Sequence, residues 1–456
     1  MPLVDLALIR KYNVNGPRYT SYPTALQFSE FTPADYTRAV TDSPRRDSPI
    51  SLYFHLPFCS TLCYYCACSK IVTRDKAKGV RYLEYLNREI DLQAPNFAGR
   101  KVTQLHWGGG TPTFFSAEQI TDLMDTIRDR FELVSDSEGE FSIEIDPRTV
   151  DAARIRHIRE AGFNRLSLGI QDFEPDVQKA VNRIQSFEAT REVIQAARDV
   201  GFKSISVDLI YGLPHQTMAT IANTLKQVIE LSPDRISIYN YAHLPQRFAP
   251  QKRINVVDLP DADHKLRILK QCIDMLTVSG YQYIGMDHFA KPDDELAVAQ
   301  REGTLHRNFQ GYSTHADCDL VAMGITGISN IGNTYSQNAK TMEDYEAALD
   351  GGRLPIVKGI QIDADDLIRK AVIMALICQF TVSFETIERE FDIDFRKYFW
   401  RELDSFAAME NDGLVEIDDK GIQVTERGRL LIRNVCMAFD RHLNPDLQAN
   451  SYSRAI

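Results

Sequence analysis

Six short apolar runs recur between residues 51 and 243: SLYFHLPF from Ser51, VTQLHWGG from Val102, EFSIEIDP from Glu140, RLSLGIQD from Arg165, SISVDLIYG from Ser204 and RISIYNYAH from Arg235. Stretches of helical period lie between and after them, as in VRYLEYLNREIDLQ, AEQITDLMDTIRDRF, ATREVIQAARDV and IANTLKQVIEL. Nearly continuous apolar strands separated by amphipathic helices predict βα units on a parallel sheet, buried on both faces. Six units predict an α/β fold, a partial (β/α)6 barrel rather than a closed eight-stranded one.

The polar exceptions fall at the carboxyl ends of these strands: a cysteine loop, Gly108–Gly110, Glu144 with Asp146, Gln171 with Asp172, Asp208, and Asn240 with Tyr241. In βα barrels that rim builds the chemistry, so these groups are expected to share one pocket. Past Ala290 the pattern becomes irregular, in REGTLHRNFQGYSTHADCD and the small-residue run VAMGITGISNIGNTYSQN. From about Asp363 it is helical and ends in LVEIDDKGIQVTERGRLLIRNV, read as strand, turn at Asp418–Gly421, strand and helix, a mainly helical, winged-helix-like C-terminal domain. The expected organisation is a leader at 1–48, the barrel at 49–290, a connecting segment completing the pocket at 291–362, and the C-terminal domain at 363–456.

Charge narrows the function. Lys and Arg number 52 against 63 Asp and Glu, a formal net charge of −11, which argues against a nucleic-acid surface and leaves the winged region as a packing or capping element. No window approaches the roughly 18 apolar residues that span a bilayer, and the start lacks signal-peptide features, so a cytoplasmic, non-membrane protein is expected, as a monomer.

Four of the eight cysteines crowd into HLPFCSTLCYYCACSK. Disulfides are not expected in a reducing compartment. Cys59, Cys63 and Cys66 form Cys-x3-Cys-x2-Cys: three thiolates that can ligate three irons of a [4Fe–4S] cubane and leave the fourth iron open to a ligand. A structural zinc site would want two separated cysteine pairs. Cys68 is either a fourth ligand or a non-ligating neighbour. Cys272, Cys318, Cys378 and Cys436 read as small buried hydrophobes.

The cysteine spacing with Tyr65 before the third cysteine resembles the radical S-adenosylmethionine enzymes. The blocks YNVNGPRYTSYPTA, YFHLPFC, LHWGGGTPT, IEIDPR, LGIQDF, VNRIQS, DLIYGLPHQT, YNYAHLP, MDHFA, AVAQREGTLHRNFQGY and LIRN are similar to one branch of them, the oxygen-independent coproporphyrinogen III oxidases, over nearly the whole chain. One departure is Ala67, where that family usually has glycine between the third and fourth cysteines. The resemblance implies that Gly109, Gly110 and Thr111 hold the methionine part of S-adenosylmethionine, their glycines letting backbone N–H groups approach the ligand. It implies that Tyr53 and Glu144 contact this first molecule as catalytic and cofactor-binding residues, with Ile328 at its adenine. It also implies a second S-adenosylmethionine at Tyr65, Gln171, Arg183, Asp208 and Ala242. His55 and His106 are buried core histidines or site groups, and are given no proton-transfer role.

The implied reaction is the oxidative decarboxylation of two propionates of coproporphyrinogen III to vinyl groups, in haem biosynthesis, by a 5′-deoxyadenosyl radical. A flavodoxin or ferredoxin is the expected electron donor. The polyanionic substrate calls for cations, for which Lys11, Arg18, Arg301 and Arg307 are the candidates. Residues from about Lys11 to Thr24, with two cations, tyrosines and the breakers Gly16–Pro17 and Tyr22–Pro23, are expected to form an extended flap. Rival readings are a haem-degrading methyltransferase, a haem chaperone on the same barrel, and a DNA-binding regulator.

Overall fold

A computed structural model describes residues 5–444, 446 and 452–454. Contacts divide the chain into two units: Ser29–Ser279 with Asp317–Gln361, and the segments up to Phe28, Gly280–Ala316 and from Ile362 onward. The divisions therefore fall at 28, 279 and 316 besides 361, where the sequence led us to expect 48, 290 and 362.

In the first unit the six expected strands are β1 (Ile50–Leu56), β2 (Lys101–Gly109), β3 (Glu140–Ile145), β4 (Arg165–Gln171), β5 (Ser204–Tyr211) and β6 (Arg235–Asn240). They pair in chain order and all parallel. Helices follow them, among them Lys76–Gln93, Ala117–Arg130, Ala152–Glu160, Phe187–Asp199 and Met218–Leu231. Ser116 and Gln119 close a capping box at the start of the second of these. Leu52, Phe54, Leu105, Trp107, Ile143, Leu168, Val207 and Ile238 are at most 1% exposed, each side chain contributing about 2 kcal/mol by leaving water.

The small-residue run that followed Ala290 was not expected to carry strands. With the residues just before it, it forms β7 (Asp319–Met323), parallel to β1, then the antiparallel β8 (Ile328–Ile331) and β9 (Thr334–Asn338); β10 (Ile356–Gln361), beyond the run, pairs with β9, with Ser29–Glu30 on the outer edge. Two buried acids fasten this weak strand former. Asp319 pairs with Arg100 at 3.0 Å and accepts from the Gly332 N–H at 2.8 Å. Glu89 accepts from Gly324 N–H, Asn338 Nδ2 and Tyr345 Oη at 2.7, 2.7 and 2.6 Å. Burial pushes its carboxyl up to about 7.

In the second unit, helix Ala364–Gln379 leads into an antiparallel sheet of Thr381–Ser383, Gly421–Val424 and Val415–Ile417. Asp418 Oδ1 accepts from the Lys420 and Gly421 N–H groups in the turn, and helix Ile432–Met437 follows, giving the expected wing pattern. The leader is not a free flap. Lys11 lies on helix Leu6–Tyr12, and although 13–24 is irregular, Tyr19 and Tyr22 are 1% and 0% exposed. Tyr19 donates to Asp440 at 3.0 Å, Arg433 Nε to Pro17 O at 2.9 Å and Asn434 Nδ2 to Tyr12 O at 2.8 Å. A tyrosine hydroxyl with a buried carboxylate partner gains more inside the core than in a surface cover. Among the described residues no helix is long and apolar enough to cross a membrane.

Candidate active site

The site is built where β1–β6 end. Side chains two residues apart on a strand share a face, so Ser167, Gly169 and Gln171 of β4 line one wall. Register carries the row sideways: Glu144 of β3 lies opposite Ser167, and Gly169 lies opposite Asp208, which lies opposite Ser237. Gln171 reaches its position through a bulge and a left-handed φ of 69°, a strained backbone held at a cavity wall.

The cysteine loop is pinned from both sides. Ile71 N–H donates to Pro57 O at 2.7 Å and Thr73 N–H to Cys59 O at 2.9 Å. Gly110 and Thr111 N–H groups donate to Leu56 O and Phe58 O at 2.9 and 2.8 Å. On the other side Tyr64 N–H donates to Val181 O and Asn182 Nδ2 to Leu62 O, at 2.9 and 2.8 Å. Cys59, Cys63, Cys66, Tyr65, Gly109, Gly110, Thr111, Glu144, Gln171, Arg183 and Asp208 then share one cavity of ≈ 320 Å³. Tyr53, Ala242 and Ile328 do not line it. Tyr53 instead stacks on His106, centroids 5.9 Å apart, and its hydroxyl meets His55 Nδ1 at 3.1 Å.

Cations face the sulfurs. Arg148 and Arg183 donate to Cys63 Sγ at 3.6 and 3.7 Å, and Asp146 holds both guanidinium groups, at 2.6 and 3.3 Å. Thr111 Oγ1 lies 3.4 Å from Cys59 Sγ, while burial raises that thiol to about 11. Cys66 is lowered to about 6, first by a hydrogen bond from the Cys68 thiol and further by Lys70, whose Nζ donates to Cys66 O at 3.0 Å. A lowered thiol is a ready metal ligand. The exposed Cys68, raised in turn, keeps its proton.

The donors fit an iron–sulfur cluster. Three cysteines from one pinned loop meet the buried Arg183 and half-buried Arg148 guanidinium groups, able to offset thiolate charge, and among the described residues the three sulfurs do not converge on one point as the ligands of a single ion would.

Glu144 governs the glycine loop. It accepts from Gly109 N–H at 3.1 Å and from His106 Nε2 at 3.3 Å. Burial pushes its carboxyl up, but these bonds outweigh that and hold it below the usual range, so it is ionised and faces the cavity. Because the N–H groups of Gly109, Gly110 and Thr111 are all engaged, they are not donors awaiting a ligand, contrary to the expectation above. The glycines provide closeness: a Cβ on Gly108 would lie 2.8 Å from Glu144 Oε1, one on Gly110 2.6 Å from the Pro57 carbonyl carbon, and Gly109 has φ +106°. Asp208, buried and then repelled by Glu144, is pushed up to about 7.

Arg148, Lys70, Ser167 and Tyr239 line the cavity without having been singled out. Alternation along β4 and β6 could have found Ser167 and Tyr239; Arg148 follows the Asp146–Pro147 turn, where no period applies. Of the substrate candidates, all in the second unit, Lys11 pairs with Asp412 at 2.5 Å, Arg18 pairs with Asp287, and Arg301 donates to Gln282 at 3.2 Å. Arg307 is 3% exposed, its Nη1 has no acceptor, and it pairs with no carboxylate among the described residues.

Comparison with known proteins agrees with this geometry. The family model described as the Radical SAM superfamily matches residues 53–228, and the HemN C-terminal domain matches 362–431. The oxygen-independent coproporphyrinogen III oxidase of Pseudomonas aeruginosa is 52% identical over 457 residues, covering 99% of this chain and 98% of the relative. That of Escherichia coli K12 is 53% identical over 453 residues, with the same coverage. The solved structure of coproporphyrinogen III oxidase (HemN) from Escherichia coli, described as a Radical SAM enzyme, matches with a TM-score of 0.92 and 52% identity over 96% of this chain and 99% of that one.

Proposed function

The chain belongs to the oxygen-independent coproporphyrinogen III oxidases of the Radical SAM superfamily, and from that premise we propose that its cavity converts two propionates of coproporphyrinogen III to vinyl groups, giving protoporphyrinogen IX. The carrying observation is the convergence of three cysteines, an ionised Glu144 and a close-packed glycine loop on one cavity. When bound, the [4Fe–4S] cluster supplies the electron that cleaves S-adenosylmethionine, and with it the radical that abstracts hydrogen beside the departing carboxylate.

Cys59, Cys63 and Cys66 hold the cluster. Gly109, Gly110 and Thr111 bring the backbone close to the methionine part, and Glu144 accepts from its ammonium. Tyr53 acts from behind, setting His106 against Glu144 through the ring stack. Ile145, Tyr65 and Tyr239 keep water from the cavity. Tyr65, Gln171, Arg183 and Asp208, which line the cavity, are assigned to a second S-adenosylmethionine, while Ala242 for that molecule and Ile328 for the adenine rest on the family resemblance alone. Among the substrate candidates Arg307 has the strongest support, because a buried guanidinium without a counterion is costly until an anion such as a propionate reaches it. Lys11, Arg18 and Arg301 would have to exchange present partners. A flavodoxin or ferredoxin supplies the electron, and the protein acts in the cytoplasm.

The deciding assay is anaerobic: coproporphyrinogen III, S-adenosylmethionine and dithionite should yield protoporphyrinogen IX and CO2. Failure of both to form would overturn the reading.

Asp208 makes binding depend on pH. Its raised carboxyl is neutral below about 7 and ionised above, and the ionised form attracts a sulfonium. Binding therefore strengthens as pH rises from 6 to 7.5, by up to about tenfold. In Asp208→Asn, equilibrium dialysis should show that slope flattened and one bound S-adenosylmethionine lost of two. An unchanged slope and stoichiometry would remove Asp208 from the second site.

A further inference from the structure

Behind the cysteine loop lies a second crevice of ≈ 950 Å³, on the outside of the first unit. It is lined by the first turns of three successive helices: Lys76 of Lys76–Gln93, Ser116 and Ala117 of Ala117–Arg130, and Asp151 to Arg154 at Ala152–Glu160. Helix starts carry partial positive charge, and here three of them open on one hollow. The charged lining is mostly of one sign: Lys76, Arg148 and Arg154 stand against a single acid, Asp151, whose carboxylate is used in capping the third helix at the Arg154 N–H, 2.8 Å away.

Arg148 is held by Asp146 at 2.6 Å, whereas Lys76 and Arg154 are held by carbonyls. Lys76 Nζ donates to the Phe114 carbonyl and Arg154 to the Phe115 carbonyl, and neither forms an ion pair with a carboxylate among the described residues. Burial and then the nearness of Arg154 lower the Lys76 ammonium. A chain of net charge −11 repels an acidic protein at long range, and the cations of this hollow favour contact with one here.

The crevice also reaches the cysteines. Arg148 lines both hollows, with Nη2 3.6 Å from Cys63 Sγ. Lys76 Nζ sits 3.7 Å from the centre of the Phe114 ring, which stacks at 5.2 Å on Phe58, the residue before Cys59. The wall between crevice and cluster loop is thus one side chain thick.

We propose that this crevice is the docking site of an acidic one-electron carrier protein, which reduces the cysteine-bound cluster across that wall. One electron leaves the carrier's reduced flavin and one enters the cluster; no atom is transferred. The inference rests on the function proposed above, since a chain without a redox cluster needs no donor.

The test uses anaerobically purified holoenzyme and a flavodoxin. Binding of the oxidised flavodoxin is followed by flavin fluorescence at low and high salt, and 5′-deoxyadenosine formation is driven separately by dithionite. Lys76→Glu with Arg154→Glu should raise the flavodoxin Kd by about tenfold or more and flatten its salt dependence. The dithionite-driven rate and the melting temperature should be unchanged. Because both side chains also bond carbonyls, Ala153→Glu serves as a second variant: it adds an anion to the exposed lip and removes no bond. It should weaken flavodoxin binding, and Ala153→Lys should strengthen it. A Kd unmoved by the Ala153 pair overturns the docking site. Absence of dithionite-driven cleavage in the unaltered enzyme would instead overturn the function.

Discussion

Cys59→Ser, Cys63→Ser and Cys66→Ser will each emerge from anaerobic purification nearly colourless and without measurable activity, while Cys68→Ser stays brown. Three thiolates anchor a cubane of about four irons, and a serine hydroxyl does not replace a thiolate on iron. All three cysteines line the cavity, as Cys68 also does, and guanidinium groups offset the charge beside Cys63. Cys68 differs because it stays protonated and donates to Cys66, a bond a serine hydroxyl can also make. Iron analysis and visible absorption decide the matter. A Cys68→Ser protein as empty of iron as Cys63→Ser would show that four thiolates, not three, hold the cluster.

Glu144→Ala should keep the cluster's absorption yet lose about 10²- to 10³-fold in S-adenosylmethionine cleavage, the usual size of effect when one placed charge is removed from a site. Glu144 has two tasks. Its ionised carboxylate faces the cavity, and its bond to the Gly109 N–H fixes the glycine loop beside Pro57. The conservative Glu144→Gln retains the bulk but loses the charge, so it should recover less than about a tenth of the activity. Formation of 5′-deoxyadenosine under dithionite is the measurement; a normal rate in Glu144→Ala would end this role.

The six parallel strands could be read from sequence because each is buried on both faces and so appears as a nearly continuous apolar run. The rim residues could be read for the same reason: Glu144 and Asp208 are charges inside such runs, and the cost of burying them marks them. The strands β7 to β10 could not. β8 and β9 are rich in Ser, Asn and Thr, β7 and β10 are short and sit among glycines and turns, and Asp319 and Glu89 hold the group through contacts with Arg100 and Tyr345, far away along the chain. The buried tyrosines of the leader were hidden in the same way, since the Tyr19 partner is 421 residues distant. Tyr53 illustrates a finer limit: its strand was readable, but its action through the His106 ring, rather than on the cavity, depends on a register and a stacking geometry that alternation does not specify.

The pairing of residues 12–19 with residues 433–440 bears on how the protein is made. On the ribosome the parallel strands β1 to β6 emerge in the order in which they pair, so this sheet can assemble while translation continues. The leader emerges before any of them, yet Arg433, Asn434 and Asp440, which receive it, follow it by 416 to 422 residues. Throughout elongation Tyr19 and Tyr22 therefore lack their native surroundings. A nascent chain stalled at Gln361 would contain every cysteine-loop and glycine-loop residue described above but would hold its leader exposed to proteases and chaperones, which makes the second unit the later of the two to be completed.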